Sequence, residues 1–238
     1  MGGAALIEQI AALEPKARDE AIVREVLAGN VPQRLRTWHP VESTTIVNGK
    51  EVGAVLFVLS DYLGVGSDDD WVRLPMTPMA AQAIADRLGC SLPTRRIVDL
   101  VDGAATCRMA PLPLGEPRET LGRFLEHHRM IDARGAAAIG TALVSGIKKD
   151  IVLTPLLAER PDRVAIYGWR WPLGKPIQPL NNAHHRGYVD YSHGARLVWG
   201  QVLVEGKERP LEELLANPAW CSLVSDEGPL ETPRYPND

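Results

Sequence analysis

Between Ser145 and Arg196 the sequence crowds titratable and nucleophilic side chains into three pieces with strand-like flanks. They are Ser145-Gly146-Ile147-Lys148-Lys149-Asp150, Tyr167-Gly168-Trp169-Arg170-Trp171 and Asp190-Tyr191-Ser192-His193-Gly194-Ala195-Arg196. In an extended chain Asp190 and Ser192 point to one side while Tyr191 and His193 point to the other, so neighbours do not form a triad unaided. A turn at Gly194, a residue open to backbone angles closed to the rest, relaxes that restriction. His193 is then expected to act as general acid or base, with Asp190 or the more distant Asp150 fixing its tautomer. Ser192 or Tyr191 is the expected nucleophile or proton relay. Lys148 and Lys149 are placed to stabilise developing negative charge, and Arg196 to grip an anionic group through two N–H bonds.

A second reading of the same stretch is a binding surface. The chain has six Trp but two Phe, and Tyr167, Trp169, Trp171, Tyr188 and Tyr191 offer flat faces with polar edges suited to sugar rings or extended peptide. Gln178 and His185 are expected to add hydrogen bonds to such a ligand. A third reading is a zinc-dependent hydrolase using His184 or His185 with Asp190 and His193, residue types that suit the metal. The primary expectation is a hydrolase or acyl-transfer enzyme acting on a small molecule or on a glycan or peptide polymer. It has no cofactor and no assigned metal ligand.

Ser192-His193-Gly194-Ala195-Arg196 resembles the Ser-His-Gly-Cys-x-Arg loop of the L,D-transpeptidases, and Ala165-Ile166-Tyr167-Gly168 is similar to the strand those enzymes place before it. The resemblance covers about a dozen residues. Ala195 stands where that family has its nucleophilic cysteine, so the cysteine mechanism is absent. His184-x-x-Gly187-x-x-Asp190 resembles the His-x-x-Gly-x-x-x-Asp element of D-Ala-D-Ala zinc peptidases, one residue short.

Other motifs exclude chemistry. Leu63-Gly64-Val65-Gly66-Ser67 leads into Asp68-Asp69-Asp70, whose carboxylates repel a phosphate, and Val72 breaks the alternation of a calcium loop, so a solvated turn is expected. His127 and His128 are adjacent and diverge by about 100° on a helix, which rules out chelation of one ion and suggests surface histidines. HExxH, GxSxG and kinase signatures are absent.

The elements that must hold these residues are legible in pieces. Leu6, Ile10 and Leu13 share a helical face, and Pro15 can open a second helix with Ile22, Val23, Val26 and Leu27 on one side, ending at Gly29-Asn30. Asn48-Gly49 between β-formers predicts a tight hairpin whose second strand, Ala54–Leu59, is apolar on both faces and lies inside a sheet. Thr77-Pro78 caps a helix over Ala80–Leu88, Thr94 starts another with Ile97, Val98 and Val101 buried, and a further helix covers about 119–131. Short strands are expected near 142–144, 150–153, 164–167 and 195–199. A helix-rich N-terminal half followed by a β-rich C-terminal half predicts an α+β fold with a mainly antiparallel sheet. A single domain is expected over 1–238, with a helical segment at 1–30 and the α+β core at 44–225.

At 238 residues with 45% hydrophobic and 24% charged residues, the chain can bury one substantial core. A net charge of −4 and a pI near 5.9 give no basic field for nucleic acid or an anionic membrane. No run approaches the ~18 apolar residues of a membrane span. No export signal is visible at the N-terminus, and three widely spaced cysteines form no disulfide framework, so a cytoplasmic location is the expectation, with export after loss of a leader kept open.

Overall fold

The computed structural model describes residues 1–135 and 140–236. Helix α1 (Gly3–Ile10) buries Leu6, Ile7 and Ile10. Leu13 falls in the following turn and is exposed, because Pro15 opens α2 (Pro15–Leu27) and holds Glu14 extended, which ends the first helix early. Helix α2 buries Ala21, Ile22 and Val26.

Strands β1 (Trp38–Val47) and β2 (Lys50–Leu59) pair antiparallel through Val47 and Lys50, and Asn48 and Gly49 both take positive φ, as a two-residue type I′ turn requires. Val52, Ala54, Leu56 and Val58 alternate into the core. Each such side chain, once buried, contributes about 1.5–3 kcal/mol, less for Ala54. The strand is interior: β1 runs along one side, while β12 (Val198–Trp199) and β13 (Gln201–Val204) share the other. Strands β14 (Lys207–Pro210) and β5 (Cys90–Ser91) complete this six-stranded sheet, which draws on both halves of the chain.

Between them the chain forms the hairpin of β3 (Gly64–Gly66) and β4 (Trp71–Arg73), with Asp68 and Asp69 exposed at its turn. Asp70 anchors the start of α1 by accepting from the Ala4 N–H at 3.1 Å. Arg73 turns inward and donates to Asp61 through Nε at 3.1 Å and a terminal nitrogen at 2.7 Å, and to Asp132 at 2.7 Å. Helix α3 (Pro78–Arg87) begins where Thr77 accepts from the Ala80 N–H, and α4 (Arg95–Ala104) where Thr94 accepts from the Ile97 N–H.

Strands β6 (Cys107–Arg108) and β7 (Val144–Ser145) pair in parallel, with α5 (Leu121–Ala133) between them in sequence. A second sheet, in the order β10-β9-β8-β11, contains β8 (Lys149–Ile151), β9 (Ile166–Arg170), β10 (Pro176–Asn181) and β11 (His193–Gly194). Short helices α6 (Leu156–Glu159) and α7 (Leu211–Ala216) complete the set of elements. The fold is α+β. A main core cluster runs from Leu6 to Tyr235, whose hydroxyl accepts from Ala165 N and donates to Val152 O, both at 2.9 Å. Among the described residues no helix is long and apolar enough to cross a membrane.

Candidate functional site

The candidate site is built on β8, which has β9 antiparallel on one side and β11 parallel on the other. In that parallel register Lys149 lies beside His193 and Asp150 beside Gly194. Partners in register share a face, so the two pairs look to opposite sides of the sheet. The concentrated stretch of the sequence is therefore one neighbourhood split between two environments.

On the Asp150 side, the missing side chain of Gly194 makes room for an aromatic ring. A Cβ at Gly194 would fall 2.5 Å from Tyr62 Cδ1 and 2.8 Å from Lys148 Cβ. Its φ is not positive, so the position is glycine for space and not for a turn. Through that gap the Tyr62 hydroxyl donates to Asp150 Oδ2 at 2.9 Å. The other oxygen, Oδ1, has no hydrogen-bond partner among the described residues; Arg196 Nε stands 3.9 Å away. Burial pushes the Asp150 carboxyl up to about 6, against the opposing pull of Arg196 and Tyr62.

Asp150 lines a small cavity of about 10 Å³ with Tyr62, Asp102, Ser145, Gly168 and Arg170 among its other walls. That is about the space of one water molecule. Ser145 Oγ donates to Asp102 Oδ1 at 2.7 Å. Arg170 bonds Asp99 and stands 3.5 Å from Asp102, both on α4, while the Tyr167 hydroxyl donates to Asp99 at 2.9 Å. Helix α4 thus supplies the acidic rim and β9 the cation.

Arg196 does not present itself to a ligand. Its two terminal nitrogens donate to the carbonyls of Leu59 at 2.6 Å and Val144 at 2.7 Å, its guanidinium lies 4.4 Å from the Tyr62 ring centroid, and it is 1% exposed. This is a clamp between β2 and β7. Lys148 is equally interior, donating to Tyr191 O and to His127 Nδ1 at 3.1 Å, and burial brings its ammonium down to about 7.

On the other side, the His193 ring is 1% exposed, and neither of its nitrogens has a hydrogen-bond partner among the described residues. Burial, assisted by the nearby lysines, lowers it to about 4 and keeps it neutral. Asp190 spends one oxygen on Ser192, accepting from its N–H at 2.7 Å and from its hydroxyl. The other accepts from the Tyr188 hydroxyl at 3.2 Å and faces Lys149 at 3.7 Å. Asp190 is therefore an anchor for its own turn, with no hydrogen bond to the imidazole. The pair that an acid–base imidazole needs is not assembled here.

The remaining residues scatter. Tyr191 exchanges hydrogen bonds with the Leu114 main chain, which leaves its hydroxyl tied. Lys149 Nζ sits 5.1 Å from the Trp169 ring centroid. Gln178 lies opposite Gly168 across the β9–β10 pairing, and exposed His185 accepts from the Gly187 N–H. His184 stacks on Tyr188. Among the described residues no three His, Cys, Asp or Glu side chains are grouped to hold a metal ion.

His127 and His128 correct the expectation of surface histidines, being 0% and 5% exposed. Helix α5 is wedged between two layers: His127 meets Lys148 and Tyr191 on one side, and His128 meets Trp71, Arg73 and Asp132 on the other. Divergent side chains on a helix covered from both sides are both buried. Sequence reasoning also missed Tyr62, Asp102 and the role of Ser145. The first two come from outside the crowded stretch, and only the tertiary pairing brings them in.

Comparison with protein-family models, with curated proteins and with solved structures finds no match to this chain.

Proposed function

We propose that the protein is an enzyme of the hydrolase or acyl-transfer type in which Asp150 moves the proton. One observation carries this reading. The Asp150 carboxyl is buried, held by Tyr62 through one oxygen, without a hydrogen bond on the other among the described residues although Arg196 Nε lies 3.9 Å away, and set in the wall of a cavity shared with Ser145 and Arg170. An unmatched buried polar atom costs on the order of 1–3 kcal/mol, and strongly perturbed carboxyls in such settings concentrate at working sites. A carboxyl lifted to about 6 exchanges its proton near neutral pH, where general acid–base catalysis is most effective.

In this reading an attacking water loses a proton to Asp150 as its oxygen bonds to an acyl carbon. Arg170 stabilises the negative charge that develops on the acyl oxygen. The bond to the leaving group then breaks, and the leaving group departs with the proton from Asp150. The cavity admits little more than the attacking atom, so the body of the substrate lies outside it. The β9–β10 hairpin next to Arg170 exposes Trp171, Leu173 and Ile177, an apolar strip suited to a glycan or peptide chain.

The test compares wild type, Asp150→Asn and His193→Gln on p-nitrophenyl esters, O-acetylated glycans and a peptide library. Wild type is expected to turn over at least one class with a rate inflection near pH 6, as the lifted carboxyl implies. Asp150→Asn should lower kcat by about 100-fold or more while keeping its circular dichroism, and His193→Gln should retain the rate within about tenfold. No turnover on any class, or a wild-type rate in Asp150→Asn, overturns the proposal.

A further inference from the structure

The outward side of the six-stranded sheet carries a second concave feature, unconnected with the residues of the Asp150 site. Trp38 at the start of β1 and Trp199 at the end of β12 meet edge to face, with centroids 5.4 Å apart and planes at 68°. With Phe57, Gln201, Leu203 and Glu208 they line a pocket of about 200 Å³. Trp199 is 41% exposed, which leaves much of a large apolar ring open at the rim of this pocket.

Charge decides what this corner suits. The strand register puts Glu42 opposite Val55, Glu51 opposite Ile46 and Glu208 opposite Leu203, all on this outward side. None of the outward positions of β1, β2, β12, β13 and β14 is Lys or Arg. The Glu208 carboxylate enters no ion pair or side-chain hydrogen bond among the described residues. Aromatic faces carry negative quadrupole charge and attract cations, so ring walls and carboxylate act with the same sign.

We propose that this pocket binds a quaternary alkylammonium group. A primary ammonium would have to exchange three hydrated N–H donors for the few acceptors that Gln201 and Glu208 offer. A trimethylated nitrogen has no donor to satisfy and presents methyl groups to the indole and phenyl faces. The pocket has room for that head group and leaves its stem pointing to solvent. The group can come from a free choline-type molecule or from a trimethylated lysine side chain of another protein, and the shared head group is what the pocket reads.

Titration of the full chain, followed by tryptophan fluorescence, tests this with tetramethylammonium, choline, the neutral carbon isostere of choline and a trimethyllysine peptide. Saturable binding of tetramethylammonium and choline in the millimolar range is expected, with the isostere weaker by about tenfold or more. Glu208→Gln, an exposed change that leaves the fold intact, and Trp199→Ala should each weaken binding by about fivefold or more, and Leu156→Ala, exposed on α6 and outside both sites, should leave it unchanged. Tighter binding of choline than of the peptide assigns a free ligand, and the reverse assigns a protein tail. No saturation with any cation, equal affinity for the isostere, or indifference to both pocket variants overturns the proposal. None of these outcomes depends on Asp150 or on turnover.

Discussion

At Gly194 a single hydrogen in place of a side chain decides the geometry of the candidate site, because the Tyr62 ring and the Lys148 stem occupy the volume that a methyl group would claim. Gly194→Ala puts its new carbon 2.5 Å from Tyr62, which forces the ring or β11 to move. Overpacking of this kind costs about 1–3 kcal/mol, and here it also withdraws the hydroxyl from Asp150. Urea denaturation should show a loss of that size with an unchanged m-value. A variant as stable as wild type would mean that Tyr62 does not depend on the gap. Arg196 belongs to the same scale: its type promised anion recognition, yet its terminal nitrogens are committed to Leu59 and Val144 and its Nε is buried. A residue's chemistry is printed in the sequence, but the partners that consume it are not.

Among the elements, α4 matters most to the site because it brings Asp99 and Asp102 to Arg170 and Ser145. Its start is fixed by Thr94, whose hydroxyl accepts from Ile97 N at 3.2 Å and donates to Val224 O while 1% exposed. Thr94→Ala removes the cap and leaves a buried carbonyl without its donor, a loss of about 1–2 kcal/mol in thermal or urea unfolding. A loss below about 0.5 kcal/mol would show that packing alone fixes the helix start. Such local devices were legible: Thr77 and Thr94 as caps and Asn48-Gly49 as a turn act over a few residues, within reach of a sequence pattern. The pairing of β11 with β8 joins positions 44 residues apart through two short strands, of which only β8 overlaps an expected strand, the one near 150–153. Hence Lys148, Asp150, Asp190, Ser192 and His193 could be singled out as a group, while their division between two faces of a sheet, and the arrival of Tyr62 and Asp102, could not.

Over the whole molecule, interior titratable groups set the response to acid. Burial lowers His127 to about 2 and His128 and His193 to about 4, against an ordinary value of 6.5. A depressed value means that the folded chain holds fewer protons than the unfolded one, so this stability is present above pH 6.5 and is lost as pH falls toward 4. Asp150 acts oppositely: raised from 3.8 to about 6, it favours the fold below about pH 4 and loses that contribution as pH rises through 6. Folding moves each histidine at least as far along the pH scale as it moves Asp150, at about 1.4 kcal/mol per pH unit, and three oppose one. Unfolding free energy should therefore fall by several kcal/mol between about pH 7 and pH 4.5, with net uptake of about two protons on unfolding. Urea midpoints that stay level across that range would contradict the buried histidines.

The long interior strand β2 gains its second neighbour only when residues 198–204 arrive, far later in the chain than β1. During synthesis from the N-terminus, the hairpin stands with one open hydrogen-bonding edge and an apolar face uncovered while most of the polypeptide is still being made. Such an edge recruits strands from other chains. Shortened versions ending before Val198 would contain the residues of every helix through α6 yet leave that edge open, so β12 and β13 act as the molecule's own guard against self-association.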